Sequence, residues 1–304
     1  MIYDLAIIGG GPGGVAAGVY AARKKLNAIL ITETFGGQSL LSADVQNWIG
    51  TKSVSGFDLA KMFEGHLRAQ KGIEIVDGEL VHKMEAGNDN SFKLTTNQEK
   101  IFEAKAVLLT LGSRRKKLGV PGEDKFEGKG VAYCSICDAP IFEGKQVAVV
   151  GGGNAGLEAV IDLLPYASKI YLFHRSAALK GDPATQEKIK VNPKVEIILN
   201  SETQEILGDE VVMGMVYKDK ASGEVKKLEV QGVFVEVGIL PNSEIIKDLV
   251  KLNENREVVV DPKTQQTSRK GIWAAGDVTD CLYRQNNISA GDAVKAVLNI
   301  YEYL

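Results

Sequence analysis

Cys134 and Cys137 are separated by Ser135 and Ile136, and Asp138 follows at once. Two thiols at that spacing can close a redox disulfide, supply half of a zinc site, or pack as inert core cysteines. The pair lies between two glycine-rich runs, GGGPGG at Gly9–Gly14 and GGGNAG at Gly151–Gly156, and the second run begins 14 residues after Cys137. Each run follows an apolar segment and opens a helix-like one, as a dinucleotide-binding turn requires. Two nucleotide units and one dithiol outline an electron route: nicotinamide, flavin, disulfide, external partner.

Zinc normally takes four ligands, often as spaced pairs. The third cysteine, Cys281, is remote in sequence, and His66, His82 and His174 are scattered singly. Inert core packing does not account for the close spacing. A redox disulfide accounts for it best. A buried carboxyl at Asp138, beside two sulfurs, could shuttle a proton during thiolate exchange. Without the neighbouring cysteines, Asp138 would read as a loop or cap aspartate.

The glycines divide the labour of a phosphate turn. Gly9 and Gly151 permit the tight turn, Gly11 and Gly153 let backbone approach a pyrophosphate, and Gly14 and Gly156 allow close helix–strand packing. The helix N-terminus that follows offers free amides and the positive end of a dipole. Glu33 lies 24 residues after Gly9, at the end of the next strand, where a carboxylate can bind an adenosine ribose. The matching strand end in the second unit is His174–Arg175, without an acid, and Lys180 follows. Cations there favour a 2′-phosphate, hence NADP over NAD.

These side chains need elements to hold them. Asp4–Ile8 reads as a strand, Val15–Lys25 as a helix and Asn27–Thr32 as a strand. Residues 91–111 read as strands, ending in the apolar run Ala106–Leu111. Val147–Val150, Leu157–Leu164 and Ile170–Phe173 repeat the strand, helix, strand order, an internal repeat of nucleotide-binding units. Gly112–Gly122, with the basic run Arg114–Lys117, reads as a solvated linker, and Gly238–Ser243 as a second one. Gly271–Ala275 then reads as a strand and a final helix starts near Ser289. The C-terminal segment is too short to stand alone and is expected to complete the first domain. Cys281 is expected to be a lone structural thiol, and Trp48 and Trp273 to be packing residues.

The length of 304 residues sets a prior of about two domains. Hydrophobic content of 44% and charged content of 25% let such a chain bury a core without disulfide staples. A net charge of −3 argues against a nucleic-acid or anionic-membrane surface. Three cysteines are too few for a secreted disulfide scaffold, so a cytoplasmic setting is expected. Met1–Tyr20 is apolar but lacks a basic leader, and reads as a buried strand turning into a helix. No apolar run reaches the roughly 18 residues of a membrane span.

The ordered motifs resemble the low-molecular-weight thioredoxin reductase family over essentially the whole chain. They are GGGPGG, FGGQ (Phe35–Gln38), VQNWIG (Val45–Gly50), YCSICDAP (Tyr133–Pro140), GGGNAGLEA (Gly151–Ala159), GIWAAGDV (Gly271–Val278) and YRQ (Tyr283–Gln285). The stretch around the dithiol is also similar to the reductase core of the alkyl hydroperoxide reductase flavoprotein subunit. That subunit has an additional N-terminal thioredoxin-like segment, whereas this sequence opens at the first fingerprint.

The resemblance implies an α/β protein with two Rossmann-like, three-layer nucleotide-binding domains. A discontinuous FAD domain would span 1–114 and 244–304, and an inserted NAD(P) domain carrying the dithiol would span 115–243. FAD contacts are implied at Gly9, Gly11, Pro12, Gly14, Glu33, Gly37, Gln38, Asn47, Thr110, Gly112, Gly276, Asp277 and Gln285. Nicotinamide-nucleotide contacts fall at Gly151, Gly153, Asn154, Gly156, His174, Arg175 and Lys180, with NADPH favoured over NADH. Cys137 would be the flavin-proximal sulfur, Cys134 the thiol that attacks a partner disulfide, and Asp138 the family's acid. The partner would be a thioredoxin or a glutaredoxin-like protein, and the enzyme a homodimer.

This sequence departs from the family in three places. His174–Arg175–Ser176 stands where His-Arg-Arg is usual, Lys180 replaces a later arginine, and Ala139 replaces the glycine after the acid. Other readings of the same residues are a peroxide-reductase flavoprotein working through a separate adaptor, a ferredoxin-dependent relative, and a flavin-bound redox sensor. Because one inserted domain must serve nicotinamide, flavin and a protein partner, rotation about the two linkers is expected.

Overall fold

The computed structural model describes residues 2–42, 45–87 and 91–304. Strand β1 (Ile2–Gly10) leads into helix α1 (Pro12–Arg23) and strand β2 (Ala28–Phe35). Helix α2 (Gly56–Arg68) feeds β3 (Ile73–Asp77), and β4 (Val81–Ala86), β5 (Phe92–Thr96) and β6 (Ile101–Leu109) follow. After the short β7 (Ser113–Arg115) come β8 (Val131–Ala132), helix α3 (Ser135–Asp138), β9 (Gln146–Val150), helix α4 (Asn154–Leu163) and β10 (Lys169–Phe173). Helix α5 (Pro183–Lys190), β11 (Val195–Ile198), β12 (Ser201–Gly208), β13 (Val212–Asp219), β14 (Val225–Leu228), β15 (Gly232–Val235) and β16 (Ile239–Pro241) continue the chain. It closes with β17 (Ile272–Ala274) and helix α6 (Asn286–Tyr303). Among the described residues, no helix is long and apolar enough to cross a membrane.

Two compact units emerge. One holds residues 2–41, Gln46–Arg114 and Leu240–Leu304; the other holds Arg115–Ile239 together with Ser42 and Val45. In the first unit, β3, β2, β1 and β6 run parallel, and β17 adds to the C-terminal half of β6. The N-terminal half of β6 instead pairs antiparallel with β5, and β5 with β4. Side chains of a strand alternate between faces. Ala6, Ile8, Ile29 and Ile31 accordingly meet Val81, Met84 and Phe92 in one core. Leu5 and Ile7, on the opposite face, are equally buried. A strand buried on both faces has no polar alternation to show, which is why β1 reads as a continuous apolar run. Helix α1 packs against α2 and α6, so the chain's last helix belongs with its first fingerprint.

The second unit centres on a parallel sheet in the order β11-β10-β9-β15-β8. Leu157, Val160 and Leu163 of α4 pack on one face with Val147, Val149 and Leu172. The other face, through Ala148, Val150 and Phe173, packs against Ile206, Val212 and Met215 of the antiparallel meander β12-β13-β14. The unit therefore has three layers: helix, parallel sheet and meander. Parallel strands need both faces covered, and here a second sheet covers one of them.

Most sequence expectations land on these elements with shifted ends. The Met1–Tyr20 segment is β1 running into α1, with Met1 outside the described residues. The last helix begins at Asn286, ahead of the expected Ser289. Trp273 is wholly buried and donates Nε1–H to Asn299 Oδ1 at 3.0 Å, while Trp48 meets Phe63 edge to face at 5.1 Å between ring centres. The basic run is less solvated than a free linker. Arg114 reaches Asn242 and Glu244 at 2.8 Å each, and Lys117 reaches Asp124 at 2.7 Å and Glu127 at 2.6 Å.

Candidate active site

In the first unit, Gly9 takes a positive φ of 113°, and a Cβ there would overlap the Thr110 carbonyl. A Cβ on Gly14 would overlap the Gly9 carbonyl, so this glycine lets α1 pack tightly onto β1. Gly11 is different: a Cβ there would meet only the Gly37 Cα, at 3.9 Å. The fold itself therefore does not demand glycine at this position, whereas close approach of a ligand does. Gly11 is the N-cap of α1, with Pro12 opening the helix and no side chain capping its amides. Helix α2, in contrast, is capped by Ser55, whose Oγ accepts from the Asp58 amide at 3.0 Å. An uncapped N-terminus beside open space is a cradle for an anionic phosphate.

Around this turn the chain gathers polar side chains from distant segments. Gln38 Nε2 donates to the Ser113 carbonyl at 2.8 Å and to Asp277 Oδ2 at 3.5 Å. Ser113 Oγ also donates to Asp277, at 3.4 Å. Asn47 Nδ2 donates to Gln285 Oε1 at 3.1 Å, and Asn287 Nδ2 donates to the Asn47 carbonyl at 2.8 Å. Thr110 Oγ1 donates to the Ile8 carbonyl at 2.8 Å, fixing the end of β1. Gly37, Gly112 and Gly276 turn the backbone at φ of 57°, 62° and 73°. Glu33 is exposed on β2. The donors, acceptors and open turn fit a dinucleotide with a polar sugar chain. Ser113 and Asn287 are members of this cluster that the sequence motifs did not single out.

The second unit repeats the turn. Gly151 has φ of 137°, and a Cβ there would overlap the Glu236 carbonyl. A Cβ on Gly156 would overlap the Gly151 carbonyl, while a Cβ on Gly153 would meet nothing within 4 Å. Gly153 is the N-cap of α4, again without a side-chain cap. Asn154 Oδ1 accepts from the Asp182 amide at 2.7 Å and so anchors the start of α5. His174 is buried, and its Nδ1 accepts from the Gly152 amide at 3.1 Å. The Gly152 carbonyl accepts from the Lys180 amide at 2.7 Å. Burial first, then Lys180 and Arg175, hold His174 below its ordinary pKa. His174 thus braces the turn as a neutral ring. The exposed cations at this strand end are Arg175 and Lys180.

Cys134 and Cys137 form a disulfide, with Cα atoms 5.3 Å apart. Cys134 is the N-cap of α3, and the Asp138 amide donates to its carbonyl at 3.0 Å. Ser135 is buried, and its Oγ donates to Asp162 Oδ2 on α4 at 2.7 Å. Burial pushes the Asp138 carboxyl up to about 7, against the pull of the Arg115 guanidinium. A carboxyl titrating near neutrality beside a disulfide is suited to proton transfer. Cys281 is unbonded and half-buried, its Sγ lies 3.6 Å from the Gly276 carbonyl, and burial pushes its thiol up. That environment disfavours a reactive thiolate.

A Cys-x-x-Cys disulfide and two open glycine turns lie on one chain. Residues 3–296 match the family model for pyridine nucleotide-disulphide oxidoreductases. The chain belongs to the pyridine nucleotide-disulphide oxidoreductase family. Members of this family employ FAD and a nicotinamide nucleotide, and the open glycines above fit both.

Solved thioredoxin reductase structures resemble the whole chain. A thioredoxin reductase from Streptococcus pyogenes is 32% identical, with a TM-score of 0.89 over 99% of this chain and 98% of its own. One from Giardia duodenalis is 30% identical, with a TM-score of 0.88 over 99% of each chain. Among curated proteins, one from Bacillus subtilis named NADH dehydrogenase is 39% identical over 99% of this chain and 58% of its own length. An alkyl hydroperoxide reductase component from Escherichia coli is 37% identical over 99% of this chain and 58% of its own length. The chain thus spans little more than half the length of these curated relatives.

Proposed function

We propose that this protein is a disulfide reductase of the thioredoxin reductase type. NADPH is the donor, a thioredoxin-like protein is the acceptor, and the working form is a homodimer. The observation that carries the reading is the Cys134–Cys137 disulfide on a helix tied through Ser135 to the helix of the second nucleotide turn. The mutual full-length likeness to two thioredoxin reductases supports it.

Under this reading the discontinuous first domain holds FAD. Gly11 and the α1 amides take the pyrophosphate, Glu33 the adenosine ribose, and Gln38, Asn47, Asp277 and Gln285 the remaining polar atoms. Gly153 and the α4 amides take the nicotinamide nucleotide's pyrophosphate, and Arg175 and Lys180 its 2′-phosphate. Bound flavin supplies a two-electron relay between nicotinamide and sulfur. Cys137 is the sulfur that receives those electrons, Cys134 attacks the partner disulfide, and Asp138 holds and returns the proton.

The peroxide-reductase reading has one observation in its favour: alkyl hydroperoxide reductase components from three bacteria align over 99% of this chain at 37–39% identity. In that role the same dithiol would reduce a separate thioredoxin-like adaptor. Anaerobic flavin reduction with NADPH, NADH and reduced ferredoxin, followed by titration with thioredoxin and with such an adaptor, tests both. Rapid reduction by NADPH and turnover of thioredoxin is the expected result. Turnover of the adaptor alone would favour the peroxide branch, and reduction by ferredoxin alone would overturn the nicotinamide assignment.

A further inference from the structure

Cys134 lies between two buried residues whose side chains are bonded to different layers of the second unit. Side chains of a strand alternate between faces. Strand β8 and the residue after it follow this rule: Ala132 joins the core with α4, and Tyr133 the core with the meander. Beyond Cys134, Ser135 returns to α4 through its bond to Asp162. Tyr133 is only 6% exposed, and its hydroxyl donates to Glu123 Oε1 at 2.9 Å. Ile136, between the two sulfurs, is 54% exposed. The side-chain hydrogen bonds that hold this segment therefore flank Cys134.

Glu123 is a carboxylate only 2% exposed. Burying such a group is costly unless donors meet it. Three donors converge here. Besides the Tyr133 hydroxyl, the Leu118 amide donates to Oε1 at 2.9 Å and the Gly119 amide to Oε2 at 2.7 Å. Those two amides follow the basic run, where Gly119 turns the backbone at φ of 73°. Both carboxylate oxygens are thus tied to main chain, and Tyr133 bonds to an acceptor that is fixed in place. On the other side, the Cys134 carbonyl accepts from the Asp138 amide at 3.0 Å and starts α3.

We propose that Glu123 is a positioning residue for the dithiol: through Tyr133 it holds Cys134 where its sulfur closes on Cys137. The proposal deepens the disulfide-reductase reading and rests on it for its consequence in turnover. Two thiols held close have a high effective concentration toward each other, which favours the disulfide over the dithiol. Loosening Cys134 lowers that concentration, so the pair becomes easier to reduce and its midpoint potential rises.

Equilibrating the FAD-loaded protein with buffers of oxidised and reduced dithiothreitol reads this midpoint. Acid quenching, alkylation and mass spectrometry then count the Cys134–Cys137 pairs reduced at each ratio. Tyr133→Phe removes one hydroxyl and should lower the effective concentration about fivefold, the worth of a single hydrogen bond. For a two-electron couple that is a rise of about 20 mV. Tyr3→Phe breaks the same kind of bond in the first unit, where the Tyr3 hydroxyl donates to Glu74 Oε2 at 2.5 Å, and should leave the midpoint unmoved. Glu123→Gln should raise it at least as far as Tyr133→Phe, and the double variant no further than Glu123→Gln alone. An unmoved midpoint in Tyr133→Phe would overturn the proposal, whatever happens to stability. So would an equal rise in Tyr3→Phe, or shifts that add in the double variant. If Glu123→Gln does not fold, Tyr133→Phe against Tyr3→Phe decides alone. Failure of the disulfide-reductase reading would show separately, as turnover surviving the loss of either cysteine.

Discussion

Ser135 Oγ donates a 2.7 Å hydrogen bond to Asp162 Oδ2, which ties the dithiol helix to the helix of the second nucleotide turn. Ser135 is buried and Asp162 half-buried, so the bond is partly shielded from water. A bond to a carboxylate at that depth contributes more than a neutral one. Ser135→Ala should lower stability by about 1–3 kcal/mol in urea unfolding and speed alkylation of the reduced dithiol. Unchanged stability and labelling would mean that the contact does not restrain α3.

The open middle glycines separate folding from binding. A methyl group on Gly153 meets no protein atom within 4 Å, so Gly153→Ala should fold normally. It should nevertheless weaken nicotinamide-nucleotide binding by about tenfold or more, as the backbone can no longer close on a pyrophosphate. Calorimetric titration with NADPH and thermal unfolding check the two halves. Gly156→Ala, which places a methyl group on the Gly151 carbonyl, should instead impair folding.

Arg175 and Lys180 are the exposed cations near the end of β10, whereas His174 is buried against Gly152. Replacing both with alanine should raise KM for NADPH by about tenfold while leaving KM for NADH within about twofold. Steady-state kinetics with the two nucleotides decide it. Equal losses for both would assign these cations no part in recognising a 2′-phosphate.

Asp138 carries a pH signature. Its folded pKa, about 7, lies above the ordinary aspartate value of 3.8, so the folded state binds more protons between those values. Stability should therefore fall as pH rises from about 4 to 7 and level off above that. Asp138→Asn removes the cost of a buried charge and should stabilise the protein by roughly 2–4 kcal/mol at pH 8, with the gain shrinking toward pH 4. Denaturant unfolding across that range checks the sign. A gain that grows toward acid would contradict the assignment.

What the sequence reveals here follows from how local each interaction is. The two fingerprints, the dithiol and the first strands are legible because glycine geometry and apolar periodicity act over a few residues. The Gln38–Asp277 contact joins positions 239 apart, and Arg114–Glu244 joins positions 130 apart, so no spacing rule announces either. The basic run accordingly reads as a solvated linker although Arg114, Arg115 and Lys117 are all ion-paired. The meander β12-β13-β14 carries no motif, and only the bare face of the parallel sheet requires it. The polar Asn286–Asn287 start of α6 hides a helix beginning behind loop-like residues.

Electrons are expected to leave this protein through Cys134 and Cys137. Anaerobic stopped-flow reduction of Cys134→Ser and Cys137→Ser by NADPH, paired with thioredoxin-disulfide turnover, tests this most directly. Flavin reduction should survive in both variants while protein-disulfide turnover is lost. Full turnover in either variant would contradict the assignment of the dithiol.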